Sequence, residues 1–210
     1  MSIYHFERLV KLLPLASRLR NSKRLRQSLG YEETLWTRKV SDEETRRLIA
    51  GLEPSGISAL EISGSVWQDF GFRAYQSAQY PSFDICRDRL PGSFDLIIAE
   101  HVFEHVLWPY KAGRNVLQML QPGGHFLIVT PFLYKVHPNP YDCTRWTETG
   151  MRYFLAECGF PIATITTGSW GNRTCLEATL RHEYQLFNRH FRTLKNDPDL
   201  PMVVWALAEK

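Results

Sequence analysis

SFDLIIAEHVFEHVLWPYKAGRNVLQMLQPGGHFLIVTP, residues 93–131, reads as a buried strand, a charged loop, a helix, a Pro-Gly-Gly turn and a second buried strand. Phe94 to Ala99 is an almost uninterrupted apolar run, as a strand covered on both faces by helices requires. Phe126 to Val129 repeats that pattern one crossover later. Between them Ala112, Val116, Leu117 and Leu120 recur at helical spacing, and Pro122, Gly123 and Gly124 stop the helix. In an open parallel sheet, ligands sit outside the carboxyl ends of the strands, so Glu100, His101, Glu104 and His105 leave the first strand where chemistry is expected.

Composition sets outer limits. With 210 residues, 44% hydrophobic and 22% charged, the chain suits one globular domain with a well-covered core rather than two full domains. No apolar stretch approaches the ~20 residues of a membrane helix, and the first twenty residues lack the apolar segment and cleavage site of a secretory signal. The expectation is a soluble, cytoplasmic protein. Cys86, Cys143, Cys158 and Cys175 stand far apart with no C-x-x-C pair, which indicates neither a zinc cluster nor a disulfide framework but buried free thiols.

The net charge of +3 conceals an asymmetry, since residues 1–30 carry +6 and the remainder −3. Phe6, Leu9, Val10, Leu13, Leu19, Leu25 and Leu29 lie among the basic residues at roughly helical spacing, so residues 1–40 read as a basic helical arm or lid broken near Pro14, and residues 41–210 as the main domain. Such an arm suits an anionic membrane surface or an acidic partner, or packs on the main domain as a solvated cap. Its few aromatic residues, Tyr4, Phe6 and Tyr31, argue against nucleic-acid binding.

Downstream of the arm, Ser41 and Glu44 form a capping-box pattern that opens a helix. Strands are expected at Ile57 to Ile62, Arg73 to Ser77, Phe83 to Cys86, Phe94 to Ala99, Gly124 to Pro131, Ile162 to Thr167 and Met202 to Ala208. Thr147 suits the N-cap of a helix that ends at Gly159, and Leu176 to Phe191 reads as helical. Strands alternating with helices predict an α/β, three-layer sandwich.

These residues resemble the class I S-adenosylmethionine-dependent methyltransferases over roughly Ser41 to Glu209. LEISGS at Leu60 to Ser65 is similar to that family's first motif, an acidic residue near the end of a strand followed by a small-residue turn. FDLIIAEHVFEHV at Phe94 to Val106 is similar to its fourth strand and loop, and LQPGGHFLIVTP to the turn and strand that follow. The resemblance implies a Rossmann-like, mostly parallel seven-stranded sheet whose last strand is antiparallel, and S-adenosyl-L-methionine as cofactor. MVVWALAEK suits that closing strand.

By residue-wise carry-over, the resemblance implies that Glu61, Ser63, Gly64 and Ser65 form the turn that faces the cofactor's amino-acid tail, that Gln79 meets the ribose, that Asp84 accepts from the adenine amine, and that Glu100 and His101 lie near the methionine portion. Two positions depart from the pattern. Serines flank Gly64 where glycines are usual, and serine resists positive φ, so the turn is expected to differ locally. Gln79 replaces an acid, which exchanges charge-assisted hydrogen bonds for neutral ones at ~1 kcal/mol each.

KVHPNPYDCTRWTETG, Lys135 to Gly150, is too polar and proline-rich for core and is expected as a surface loop over the carboxyl edge. Tyr141, Asp142, Arg145 and Trp146 offer substrate contacts there, or Asp142 and Arg145 pair to brace the loop with Trp146 beneath. Methyl transfer from a sulfonium needs alignment and, for a hydroxyl or amine acceptor, removal of a proton. His137 and His105 are the candidate bases, imidazole having an ordinary pKa near ~6.5. The compact chain points to a small-molecule or glycan-type acceptor.

Three rivals stand beside this reading. His101 to His105 spells H-x-x-E-H, a zinc-peptidase motif that needs a long firm helix, whereas Pro109 follows closely here, so no metal is expected. A nicotinamide-dependent enzyme fits the alternation, but SGS is a poor dinucleotide fingerprint. A non-catalytic methyltransferase-like binding module is suggested by the missing glycines and by Gln79.

Overall fold

The computed structural model describes residues 23–181 and 186–210. In chain order the elements are helix α1 (Lys23–Ser28), strand β1 (Tyr31–Leu35), helix α2 (Trp36–Ala50), strands β2 (Ser58–Ile62), β3 (Ala74–Ala78) and β4 (Phe94–Glu100), helix α3 (Pro109–Met119), strand β5 (Leu120–Pro131), helix α4 (Glu148–Cys158), strand β6 (Ile165–Trp170), helix α5 (Arg173–Arg181), and strands β7 (Leu186–Asn188) and β8 (Val203–Glu209). The main sheet has the order β3, β2, β4, β5, β8, β6. Its first four strands are parallel, and β8 pairs antiparallel with both β5 and β6.

The apolar run that opened the reading forms the middle of this sheet. Leu96, Ile97, Ile98 and Ala99 are all fully buried, because alternate side chains on a strand enter the layers on opposite faces. Ile97 and Ala99 join Phe126 and Ile128 in a core closed by Ala112 and Val116 of α3 and Phe154 and Leu155 of α4. Leu96 and Ile98 face the other layer with Ile49 of α2 and Trp67. A third cluster joins Trp36, Cys175 of α5, Phe187 and Trp205. The architecture is a three-layer α/β sandwich.

Helix ends follow the sequence signals in α4, where the Thr147 hydroxyl accepts from Gly150 N at 3.1 Å and Gly159 takes φ +112°. Elsewhere tertiary context wins. Helix α2 starts at Trp36, so Ser41 is an interior residue whose hydroxyl donates back toward the carbonyls of Thr37 and Arg38, and the 40/41 division runs through this helix. The expected helices of the basic arm before residue 23 lie outside the described residues.

Among the described residues the main sheet has six strands rather than seven. Phe83 to Cys86 is a turn: the Asp84 carboxylate accepts from Cys86 N at 2.9 Å and the Asp84 carbonyl from Arg87 N and Asp88 N, which spends backbone groups a ladder would need. Strand β6 begins at Ile165, after a short 3₁₀ turn at Ile162–Thr164. Leu176 to Phe191 divides into the end of α5 and strand β7. That strand pairs antiparallel with β1, a long-range pairing no local periodicity reports.

No helix joins β2 to β3. Turns carry residues 63–73, and the Trp67 ring lies edge-on to Phe70 at 4.8 Å beneath the Arg46 guanidinium of α2 at 5.2 Å. This aromatic plug covers the sheet in place of a crossover helix. Cys86, Cys158 and Cys175 are buried, whereas Cys143 is exposed. Burial pushes the Cys158 and Cys175 thiols up to about 12, which leaves them unreactive.

Candidate functional site at the carboxyl ends of the parallel strands

At the tip of β2, Glu61 is 3% exposed and its carboxylate accepts from Val66 N and Trp67 N, each at 3.0 Å, and from the Tyr75 hydroxyl at 2.6 Å. Burial, then the neighbouring Glu61 carboxylate, raise the Tyr75 hydroxyl above its ordinary pKa and keep it a donor. A Cβ at Gly64 would fall 2.0 Å from Glu61 Oε1, so the bend requires glycine by close approach. The turn's own amides therefore point at Glu61, which binds them.

Ser63 adopts φ +56°, so the serine enters the left-handed region it was expected to resist. Its amide donates to Ala78 O at 2.8 Å, and the Gly64 carbonyl next to it accepts from the Ser77 hydroxyl and from Gln79 Nε2 at 2.8 Å. Backbone strain of this kind costs about 1–3 kcal/mol and persists where surrounding bonds over-determine it, as at ligand sites. His101, at the tip of β4, repeats the feature with φ +54° and an amide bonded to Val129 O at 2.8 Å.

Between these tips opens a cleft of about 840 Å³, the size range of small-molecule sites. Its walls include Ile62, Ser63, Gln79, Asp84, His101, Val102, His105 and Tyr141. Asp84 also approaches Arg87 Nε at 3.5 Å. Tyr80, Phe83, Leu107 and Trp108 line the cleft without having been singled out in the sequence. The signal for Trp108 is that it precedes the first helical proline, Pro109, and is 52% exposed, an unusual position for so large an apolar surface.

Other expected site residues face elsewhere. Glu61, Gly64 and Ser65 belong to the bend beneath the cleft rather than its wall. Glu100 turns toward α2, accepting from the Thr45 hydroxyl at 3.4 Å with Arg38 Nη1 at 3.9 Å. Burial raises its carboxyl above the ordinary value, with Arg38 acting in the opposite direction. Trp146 is 7% exposed and packs on Phe154 at 5.0 Å, in the core rather than on a substrate wall.

The loop after β5 is braced by charge. Arg145 forks onto Asp142 at 2.5 and 2.7 Å, and Asp142 also accepts from His137 N at 2.8 Å. The Arg145 hydrogen bonds hold the Asp142 carboxyl down at about 2. Because this pKa is depressed, its stabilisation is complete above the ordinary carboxylate value and is lost as pH falls toward 2, at ~2 kcal/mol by linkage. Asp142→Asn is expected to lower the neutral-pH melting temperature by about 4–8 °C and to flatten the acid limb of stability between pH 4 and 2, read by circular dichroism.

His105 and His137 meet at one end of the cleft, ring centroids 5.1 Å apart. His105 Nδ1 donates to the Tyr141 carbonyl, and His137 Nδ1 to the Lys135 carbonyl at 2.9 Å. The H-x-x-E-H motif does not form a peptidase helix: only Phe103–His105 turn, as one 3₁₀ turn, and His101 lies outside it.

The family described as "Methyltransferase domain" matches residues 28–161. No curated protein matches the sequence. Among solved structures, an S-adenosylmethionine-dependent methyltransferase from Mesorhizobium loti superposes with a TM-score of 0.51 at 16% identity, over 83% of this chain and 100% of that one. Phosphoethanolamine N-methyltransferase 2 of Haemonchus contortus gives 0.56 at 11% identity, over 93% of this chain and 59% of its own. The 1,6-didemethyltoxoflavin-N1-methyltransferase of Burkholderia thailandensis gives 0.52 at 11%, over 100% and 91%. A family match over more than half the chain, on a sheet with its cleft at the parallel strand tips, assigns this protein to the methyltransferase-domain family of S-adenosylmethionine-dependent enzymes.

Proposed function

We propose that the cleft between the tips of β2 and β4 holds S-adenosylmethionine and that the chain directs its methyl group to a small-molecule acceptor. The observation that carries this reading is the cleft of about 840 Å³, with polar groups at strand tips and apolar walls between them. When bound, the cofactor supplies an electrophilic methyl group on a sulfonium. The chain's residues fit such a ligand. Phe83, Ile85 and Val102 offer apolar walls for a planar base. The Gln79 amide nitrogen is spent on Gly64 O and Ser77 Oγ, so Oε1 is its acceptor for sugar hydroxyls. Asp84 stands in the same wall as an acceptor for an exocyclic amine.

The acceptor's side of the cleft is aromatic. Tyr80, Trp108 and Tyr141 are 55%, 52% and 48% exposed, and flat faces of this kind take planar rings or the apolar face of a sugar. For a hydroxyl or amine acceptor, His105 and His137 are the groups that take its proton as bases.

The test is transfer of a labelled methyl group from S-adenosylmethionine to a panel of aromatic and glycan-like small molecules. Trp108→Ala is expected to raise the acceptor KM about tenfold, with cofactor affinity unchanged in a parallel titration. Labelling confined to polypeptide or nucleic acid would contradict the assignment of acceptor class.

A further inference from the structure

Glu104 is the anomaly of this site. It is 0% exposed, yet neither carboxylate oxygen has a hydrogen-bond partner. A buried carboxylate with no donor is strongly disfavoured unless a cation or a proton completes it. The basic groups near it are His105, whose Nε2 is 3.7 Å from Oε1, and His101, whose Nδ1 is 3.6 Å away; both distances exceed a hydrogen bond.

The tautomers sharpen the point. A backbone carbonyl only accepts, so the contact of His105 Nδ1 with Tyr141 O places a hydrogen on that nitrogen, and the 2.9 Å contact of His137 Nδ1 with Lys135 O does the same against the longer 3.5 Å approach of Arg145 Nη2. A neutral ring held in this way carries its lone pair on Nε2. His105 Nε2 points that lone pair at the Glu104 carboxylate, acceptor facing acceptor. One ligating atom from each of Glu104, His105 and His137 lies within 4.8 Å of the others.

We propose that Glu104, His105 and His137 bind a divalent transition-metal ion of the zinc type at the end of the cleft. Two imidazoles and a carboxylate are a ligand set for such ions, and tetrahedral bonds of 2.0–2.2 Å put ligand atoms about 3.3 Å apart. The His105 to Glu104 separation of 3.7 Å is within a few tenths of that, and a ring nitrogen of His137 lies within 4.8 Å of both. The outer partners suit the role too: each Nδ1–H is anchored on a carbonyl, and Asp142 Oδ2 lies 3.4 Å from His137 Nδ1 as a carboxylate behind a ligating histidine. Of the three, His105 also lines the cleft. An ion held there would lower the pKa of an acceptor hydroxyl that reached it.

The proposal uses the cleft but does not depend on the methyl-transfer reading, since the ion's binding is measured without cofactor. Full-length untagged protein is stripped with chelator, dialysed and titrated with zinc chloride by calorimetry. One equivalent is expected at a Kd of about 1 μM or tighter, and cobalt chloride should produce visible absorption bands of a four- or five-coordinate ion. His137→Ala and Glu104→Gln should each weaken zinc at least about a hundredfold, while Cys143→Ser, next to the cluster, should leave it within twofold.

Circular dichroism confirms that each variant is folded, and the wild-type titration is decisive alone. No uptake by folded wild-type protein would overturn the site and leave a proton shared by Glu104 and His105 in its place. Undiminished uptake by His137→Ala, or its loss in Cys143→Ser, would overturn the ligand set. A titration of the stripped protein with S-adenosylmethionine reports separately on the cofactor cleft.

Discussion

Glu61→Ala is expected to destabilise the protein by about 3–5 kcal/mol and to abolish measurable cofactor binding. The change removes the acceptor of Val66 N, Trp67 N and the Tyr75 hydroxyl together. The cost of leaving the buried Trp67 N and the two partly buried donors unpaired corresponds to a fall in melting temperature of roughly 10 °C. The bend then no longer holds Ser63 at φ +56° in the cleft wall. Gly64→Ala should act through the same contact, because the three atoms nearest its added methyl group all belong to Glu61. The two substitutions should therefore be strongly non-additive, with Gly64→Ala costing less than about 1 kcal/mol in the Glu61→Ala background. Additive effects in denaturant melts would show that Glu61 does not hold the bend.

Phe103→Ala is the second large effect, expected at about 3–5 kcal/mol. Phe103 is fully buried and lies 5.5 Å from the Phe126 ring of β5 and 5.9 Å from the Phe154 ring of α4. It is the apolar anchor of the 3₁₀ turn that also carries Glu104 and His105. Emptying its place leaves a cavity between two layers and releases the wall of the cleft, so cofactor affinity should fall along with stability. Phe103→Leu, which keeps most of the volume, should lose less than half as much. A loss below about 1 kcal/mol for the alanine variant in urea melts would mean that the turn is held by its backbone alone.

The middle of the sheet was legible because its strands are continuous apolar runs bounded by turn residues. Phe94 to Ala99 and Met202 to Ala208 announce burial on two faces whatever surrounds them. Thr147 and Gly159 were legible for a different reason, since capping is a property of a few adjacent residues. The failures are those of long-range context. Ser41 and Glu44 form a valid capping pattern, yet Trp36, buried and donating its indole N–H to Thr193 O at 3.1 Å, draws the helix start upstream. Phe83 to Cys86 looks like a strand until the Asp84 side chain takes the backbone amide of Cys86.

The candidate site divides in the same way. Residues leaving strand ends, such as Ser63, His101 and His105, reached the cleft because topology alone sends them there. Glu100 and Trp146 did not, because the direction of a side chain at a strand end or in a loop depends on neighbours that are distant in sequence. The replacement of a crossover helix by the Trp67 and Phe70 plug was invisible for the same reason. Those aromatic residues read equally well as one face of a helix.

The most direct measurement is calorimetric titration of the full-length protein with S-adenosylmethionine and its demethylated product, followed by a crystal structure of the complex. The account expects saturable binding of one equivalent, tighter than about 1 mM, with the nucleoside lying against Ser63, Gln79 and Asp84. Absence of heat at millimolar cofactor, or a cleft closed by side chains in the crystal, would contradict it.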